Sequence, residues 1–185
     1  KSSKLNKMTD YLSKYGVLKS IRQFVFYLFS RIEYLILSLF WVNFKDHVKK
    51  TNIDKIKKHI KIIYIDPQYS KSGFIVKYSK KDIKIVEALD FDLLIRGNSS
   101  GILKGEILTS AKKGVISFHH GDNSWNRGGP PAFWEVYLRR PETGFILQIL
   151  NEDLDGGKVL FRASIPTRRT YIENLVSLYT ESFPF

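Results

Sequence analysis

The chain has 185 residues, of which 43% are hydrophobic and 14% aromatic, enough to build one folded domain around a core. It contains no cysteine, which excludes disulfide bonds, thiolate nucleophiles and thiolate metal sites. The formal net charge of +12 would attract polyanions. Lysines, however, dominate residues 45–61 and 71–84 with few aromatic residues between them, as is typical of solvated surfaces. We therefore do not expect nucleic acid to be the main partner. The positive electrostatic potential would also attract a small anionic substrate or cofactor.

An apolar segment, residues 24–44, dominates the first 52 residues. Arg31 and Glu33 lie near its centre and would be costly in hydrocarbon, so we do not expect an integral membrane protein. Spacings of three and four predict a helix with an apolar stripe: Leu18, Ile21, Val25, Leu28, Ile32, Leu35 and Leu39. We expect this stripe to pack in the core. Two alternatives stay open, a homo-oligomer formed through residues 18–44 and a membrane-surface contact. With no signal-peptide pattern and no cysteine, we expect a cytoplasmic location.

From residue 53 onward the pattern changes to short alternating elements. Apolar runs predict strands at residues 62–65, 74–76, 91–95, 115–118, 145–150 and 159–161, with the run 91–95 buried. Helices are predicted up to about residue 59 and at 81–89, 131–138 and 168–180. This alternation predicts an α/β fold, a Rossmann-like open and mostly parallel sheet with flanking helices, whose ligands bind beyond the carboxyl ends of the strands. We therefore divide the chain into an apolar helical segment, residues 1–52, and an α/β domain, residues 53–185.

Polar residues crowd the loop that follows the predicted strand 115–118. They include His119, His120, Asp122, Asn123 and Arg127. A single histidine at a strand end is most often structural, although its ordinary pKa suits proton transfer. Two adjacent histidines and an aspartate also suggest a metal. Neighbouring residues of an extended chain point to opposite sides, however, and the chain has no spaced ligand motif elsewhere, so no metal site is expected.

A second polar loop follows the predicted strand 145–150. It contains Asn151, Glu152, Asp153, Leu154 and Asp155, and then two glycines. By itself this is an ordinary acidic turn. If the fold brings Asp155 beside His119, the carboxylate would favour the imidazolium, orient the ring and tune it as a general acid and base.

The order and spacing of these motifs resemble the folate-dependent formyltransferases. That family includes methionyl-tRNA formyltransferases, glycinamide ribonucleotide transformylases, sugar N-formyltransferases and formyltetrahydrofolate hydrolases. Its pattern is an apolar strand ending Asn-x-His, an Arg-Gly about eight residues later, a helix containing Pro and Trp, then Thr-Gly and Leu-Asp-x-Gly. The matching residues here are His119, Arg127-Gly128, Pro131, Trp134, Thr143-Gly144 and Leu154-Asp155-Gly156-Gly157. The resemblance spans about residues 83–161 and implies a formyltransferase-like α/β domain.

The resemblance implies transfer of a formyl group from 10-formyltetrahydrofolate to an amine, which we expect on a sugar or sugar nucleotide. It assigns His119 as the acid and base, and Asp155 as the residue that polarises it and organises a water. The cofactor's pterin is expected against two segments: Ser100, Gly101, Ile102 and Leu103, and Asn151, Glu152, Asp153 and Leu154. The amine substrate is expected against His120, Asp122, Asn123 and Arg127.

The chain departs from the family pattern at Ser117, which occupies the asparagine position. In the family this amide helps to stabilise the oxyanion, and losing such a donor typically costs about 10²- to 10³-fold in rate. Three explanations stay open: Asn98 or Asn123 supplies an amide, Ser117 suffices with a repositioned substrate, or the transferase activity is lost. The adjacent His119 and His120 also resemble the hydrolase branch of the family. Hydrolysis of 10-formyltetrahydrofolate and a non-catalytic interaction module are therefore the alternative functions.

Overall fold

The computed structural model describes residues 17–41, 44, 57–97, 101–126 and 129–182. Its helices are α1 (Val17–Phe40), α2 (Lys80–Glu87), α3 (Phe133–Tyr137) and α4 (Tyr171–Glu181), with a 3₁₀ helix at Glu106–Thr109. Its strands are β1 (Gln68–Tyr69), β2 (Ile75–Lys77), β3 (Leu94–Arg96), β4 (Ile102–Leu103), β5 (Val115–His119), β6 (Glu142–Ile149) and β7 (Lys158–Pro166). The predicted lysine-rich helix lies mostly outside the described residues.

The described strands form two sheets, one of three strands in the order β1-β2-β4 and one of four in the order β3-β5-β6-β7. The pairs β2-β4 and β3-β5 are parallel, whereas β1-β2, β5-β6 and β6-β7 are antiparallel. The predicted α/β class is confirmed, but the sheets are mixed rather than mostly parallel. One reason is the short connection between β6 and β7, because a parallel pair needs a crossover of a dozen or more residues.

Two predicted strands differ from the structure. Residues 62–65 join neither of the two described sheets, and Ile62, Ile63 and Tyr64 are exposed. The predicted buried strand 91–95 begins only at Leu94, and Ile95 is 73% exposed. In both cases the apolar run alone could not tell whether a second layer covers it.

The core consists of two clusters. The first joins α2, β2, β4, the 3₁₀ helix and β5 and contains Val76, Ile83, Val86, Leu103, Ile107, Leu108 and Val115. The second joins the start of α3 to β6, β7 and α4 and contains Ala132, Phe145, Ile165 and Leu178. The strands β5 and β6 therefore form the central, covered part of the protein.

Helix α1 packs against the domain through a face that the sequence did not predict. The Phe26 ring lies 5.4 Å from the Phe133 ring and 5.3 Å from the Tyr171 ring, and Glu33 Oε1 accepts a hydrogen bond of 2.8 Å from Ile172 N. Ile172 is in the first turn of α4, where backbone N–H groups have no acceptor within the helix. The predicted core stripe is instead exposed, at Ile21, Val25, Leu28, Ile32, Leu35 and Leu39. Phe26 and Glu33 therefore lie on the face of α1 that contacts the domain.

Among the described residues, Ile21–Phe40 is the one helical segment long and apolar enough to cross a bilayer. Length and composition are weak evidence for a span, since core helices and signal sequences meet the same criteria. The carboxylate of Glu33 lies inside the protein rather than at a lipid-facing position.

Candidate active site

The structure brings His119 and Asp155 together. His119 Nδ1 and Asp155 Oδ1 are 3.4 Å apart, which is longer than an ordinary hydrogen bond. Both side chains are mostly covered, with 24% and 17% of their surface exposed. An imidazole and a carboxylate in this arrangement can relay a proton while the carboxylate orients the ring. The roles assigned to the two residues stay predictions.

Their proximity does not follow from strand ends meeting at one edge. Strand β6 is antiparallel to β5, so its carboxyl end pairs with the beginning of β5, where Ile149 is opposite Ile116. The turn at residues 150–157 instead reaches the loop after β5, and Asn123 Nδ2 donates a hydrogen bond of 2.9 Å to the Asp155 carbonyl oxygen. The site is therefore formed by a turn that folds back.

Glycine permits this folded-back turn. A Cβ atom on Gly157 would lie 2.1 Å from the Ile149 carbonyl oxygen, so no other residue fits without moving the backbone. Asp155 itself has φ of 49°, a left-handed conformation that non-glycine residues rarely adopt and that often occurs at functional sites. The Asn151 side chain bonds to Asp153 N and to the Gly156 carbonyl oxygen, both at 3.0 Å. Local hydrogen bonds thus hold Asp155 where it contacts His119.

His120 faces away from this pair. Its ring lies 4.2 Å from the Tyr179 ring, and its Nε2 is 3.4 Å from Ser182 Oγ, both in or next to α4. Burial first, and then the neighbouring His119, lower the pKa of His120 to about 4. His120 is therefore neutral near pH 7, and its predicted substrate contact stays a prediction.

Asp122 and Asn123 hold the loop after β5 in place. Asp122 Oδ1 accepts hydrogen bonds from Ser124 N, at 2.9 Å, and from the Arg162 guanidinium of β7. Burial acts to raise the pKa of Asp122, but the hydrogen bonds from Ser124 and the charge of Arg162 outweigh it, so the pKa lies below its ordinary value. Close packing also explains Gly144, because a Cβ there would lie 2.7 Å from the Asp122 Cβ.

The two segments predicted to hold the cofactor lie next to each other. Gly105 N, just after β4, donates a hydrogen bond of 2.7 Å to Glu152 Oε1. The β4 segment contains the predicted residues Gly101, Ile102 and Leu103, of which Leu103 is buried. Leu154, in the other segment, is 58% exposed. Asn98, Ser100 and Arg127, which were predicted as an amide donor, a cofactor contact and a substrate contact, lie outside the described residues.

Gln148 lies beside the candidate site, and the sequence analysis did not single it out. It lies directly opposite Ser117 in the β5-β6 ladder, so the two side chains share one face of the sheet with His119. Gln148 is 2% exposed, and its Oε1 is buried without a hydrogen-bond partner among the described residues. The same oxygen lies 3.2 Å from the point where a Cβ on Gly157 would be. The available signal was a single glutamine inside the apolar run of residues 145–150.

Comparisons with known proteins point to formyltransferases. No model of a known protein family matches the chain. A methionyl-tRNA formyltransferase of Listeria monocytogenes is 30% identical over 88 residues, which is 48% of this chain and 28% of that protein. The Bacillus subtilis methionyl-tRNA formyltransferase is 29% identical over 90 residues, 49% of this chain and 28% of that protein. The matches thus cover less than a third of these relatives' length.

A solved structure shares the fold. Glycinamide ribonucleotide transformylase 1 from Symbiobacterium toebii superimposes with a TM-score of 0.50 at 16% identity, over 58% of this chain and 54% of that chain. The chain therefore resembles the formyltransferases in sequence over about half of its length and has a Rossmann-like α/β fold of the kind that they adopt.

Proposed function

We propose that this protein transfers a formyl group from 10-formyltetrahydrofolate to an amine, and that the amine is part of a sugar or sugar nucleotide. The observation that carries the proposal is the 3.4 Å contact between His119 and Asp155, formed by the two loops that carry the formyltransferase-like motifs. We further propose a cytoplasmic location, and residues 53–185 as the catalytic domain.

His119 acts as the proton carrier in this proposal. It accepts the proton that the amine loses when its nitrogen attacks the formyl carbon. It then returns that proton to the nitrogen of the donor as the carbon–nitrogen bond to the donor breaks. Asp155 orients the imidazole and stabilises its protonated form during this exchange. The products are an N-formylated acceptor and tetrahydrofolate.

The donor fits two segments that contact each other. One contains Gly101, Ile102 and Leu103, and the other contains the exposed residues Asn151, Glu152, Asp153 and Leu154. Since Gly105 N binds Glu152, a flat ring held between these segments would meet backbone donors and acceptors from both. Ser100, next to Gly101, extends the first segment in this proposal.

Gln148 is the best-supported replacement for the family's asparagine amide. It shares a face with Ser117 and His119, and its Oε1 has no hydrogen-bond partner within the described part of the chain. The other end of the carboxamide, Nε2, carries two N–H donors, and one of them can bind the oxyanion as charge develops. The Asn123 amide instead donates to the Asp155 carbonyl oxygen, so it supports the turn.

Amine transfer is favoured over hydrolysis by the position of His120. The hydrolase alternative depends on a second histidine next to the catalytic one. Here that second histidine is His120, and its ring contacts Tyr179 instead of facing the His119–Asp155 pair. The net charge of +12 also favours an acceptor with phosphate groups, such as a sugar nucleotide.

The test follows tetrahydrofolate release from 10-formyltetrahydrofolate, with and without amino sugars and amino-sugar nucleotides. We expect release only when an amine is present. Release without amine would establish the hydrolase instead, and folate binding without release would establish a binding module. Absence of both binding and release would refute every folate-based function.

A pair of histidine variants tests the assigned chemistry. His119→Ala should lower the rate by about 10²- to 10⁴-fold, the range typical of a lost general acid and base. The matched control is His59→Ala, because His59 is exposed in a different part of the chain. Full activity in His119→Ala would remove the proposed proton carrier.

A further inference from the structure

We propose that helix α1 docks on a negatively charged membrane surface, lying parallel to it with its free apolar face in the headgroup region. The proposal is independent of the catalytic function. It rests on the position of apolar and charged residues around the helix.

The free face of α1 is broad and apolar. At 100° per residue, its exposed aliphatic and phenylalanine side chains occupy an arc of about 160°, and the exposed Tyr27 lies about 60° beyond the edge at Phe24. Phe24, Leu28, Phe29, Ile32, Ile36 and Phe40 span this arc, and each is 48% or more exposed. The helix has 24 residues and is therefore about 36 Å long. Monomeric soluble proteins rarely expose a contiguous apolar patch of this kind, so a partner covers it.

Positive charge lies along both borders of the free face. At the same 100° per residue, Arg22 falls at one edge of the apolar arc and Arg31 about 20° beyond the other edge. Both arginine side chains are exposed. A long cationic side chain at the border of an apolar face can reach lipid phosphates while the face itself enters the acyl boundary.

The distribution of acidic residues separates a membrane from a second copy of the chain. Glu33 is the only acidic residue of α1, and it is buried against α4. Two copies joined through the free face would therefore bring Arg22 and Arg31 together with no carboxylate from either helix. Each copy would also carry a net charge of +12. An anionic bilayer provides the complementary charge that a second copy lacks.

The experiment is flotation of the full chain with vesicles of phosphatidylcholine alone or of phosphatidylcholine with phosphatidylglycerol. We expect binding to the mixed vesicles and at least tenfold weaker binding to the neutral ones. Replacing both border residues, Arg22→Gln with Arg31→Gln, should reduce binding to the anionic vesicles about 30-fold, because each arginine near such a surface contributes about fivefold. Equal binding to neutral and anionic vesicles would overturn the proposal.

A pair of triple variants tests the apolar face. Phe29→Gln, Ile32→Gln and Ile36→Gln together should abolish flotation, while circular dichroism checks that the protein stays folded. The matched control changes three exposed apolar residues outside α1: Phe74→Gln, Ile95→Gln and Leu138→Gln. Equal flotation of both triple variants would overturn the proposal.

Two further outcomes contradict the proposal directly. The first is a concentration-dependent dimer that the α1 triple variant abolishes, together with no vesicle binding. The second is resistance of bound protein to extraction at alkaline pH, which would indicate a helix that spans the bilayer.

Discussion

Replacing Gln148 with leucine separates the contribution of its carboxamide to stability from its contribution to catalysis. The side chain is 2% exposed, and its Oε1 is buried without a partner among the described residues. A buried polar atom left without a hydrogen bond costs about 1–3 kcal/mol. Leucine has a similar size and no polar atom, so Gln148→Leu should raise the free energy of unfolding by about 1–2 kcal/mol. For a chain of this length, this corresponds to an increase of about 2–8 °C in the melting temperature.

The same substitution should lower kcat by about 10²- to 10³-fold, because the oxyanion loses its amide donor. Thermal unfolding followed by circular dichroism measures the first effect, and tetrahydrofolate release under saturating amine measures the second. The control is Gln68→Leu in the exposed strand β1, which should change stability by less than about 0.5 kcal/mol. A lower melting temperature would show that Oε1 is hydrogen-bonded in solution. An unchanged kcat would refute the oxyanion role whatever the stability result.

Three other substitutions test the structural argument. Asn174→Ala removes three hydrogen bonds, two of them buried and one partly buried, and should lower the free energy of unfolding in urea by about 3–4 kcal/mol. A loss below about 1 kcal/mol would contradict the contribution of these bonds. Gly157→Ala places a Cβ against the Ile149 carbonyl oxygen, so it should displace Asp155. We expect this variant to lose more in kcat than in folate binding. Equal losses in both would contradict this expectation. The fold lowers the pKa of His120 from 6.5 to about 4. As the pH falls, the imidazole is therefore protonated in the unfolded chain at a higher pH than in the folded protein, and this favours unfolding. Stability should therefore drop by about 2–3 kcal/mol between pH 6.5 and 4, and His120→Phe should lose this part of the pH dependence. Identical urea titrations of the variant and the parent over that range would argue against a buried neutral ring.

The resemblance to the formyltransferases implied that His119 and Asp155 act together, but the sequence alone could not show that the fold brings them into contact. Motif order places both residues in loops after apolar strands, and the structure brings the two side chains into contact. In a mostly parallel sheet, the carboxyl ends of the two strands would share an edge and bring the loops together. The antiparallel β6 removes that explanation, and the folded-back turn with Gly157 replaces it. A double glycine indicates a flexible turn, whereas its direction depends on contacts with β6 and with Asn123 that only the fold defines.

Gln148 and residues 62–65 differ from the sequence-based expectation because their surroundings depend on which strands pair. Gln148 looks like one polar position in an apolar strand until its ladder partner is known to be Ser117. The run at residues 62–65 has the composition of a strand, but no neighbouring strand pairs with it in the described part of the chain. Composition records how apolar a segment is, and the partner that covers it is a property of the fold.

Helix α1 shows most clearly that an apolar sequence does not reveal which of its surfaces the fold will cover. Its sequence is apolar on almost every side, so periodicity alone cannot choose the face that contacts the domain. Glu33 and Phe26 lie on the face that does so: the Glu33 carboxylate satisfies a backbone N–H in the first turn of α4, where the helix dipole also favours negative charge, and the Phe26 ring packs against Phe133 and Tyr171. Replacing Glu33 with leucine would make the helix more apolar while removing the contact that orients it. Glu33, which argued against a membrane span in the sequence, is thus also part of the contact that leaves the arginine-bordered face of α1 free.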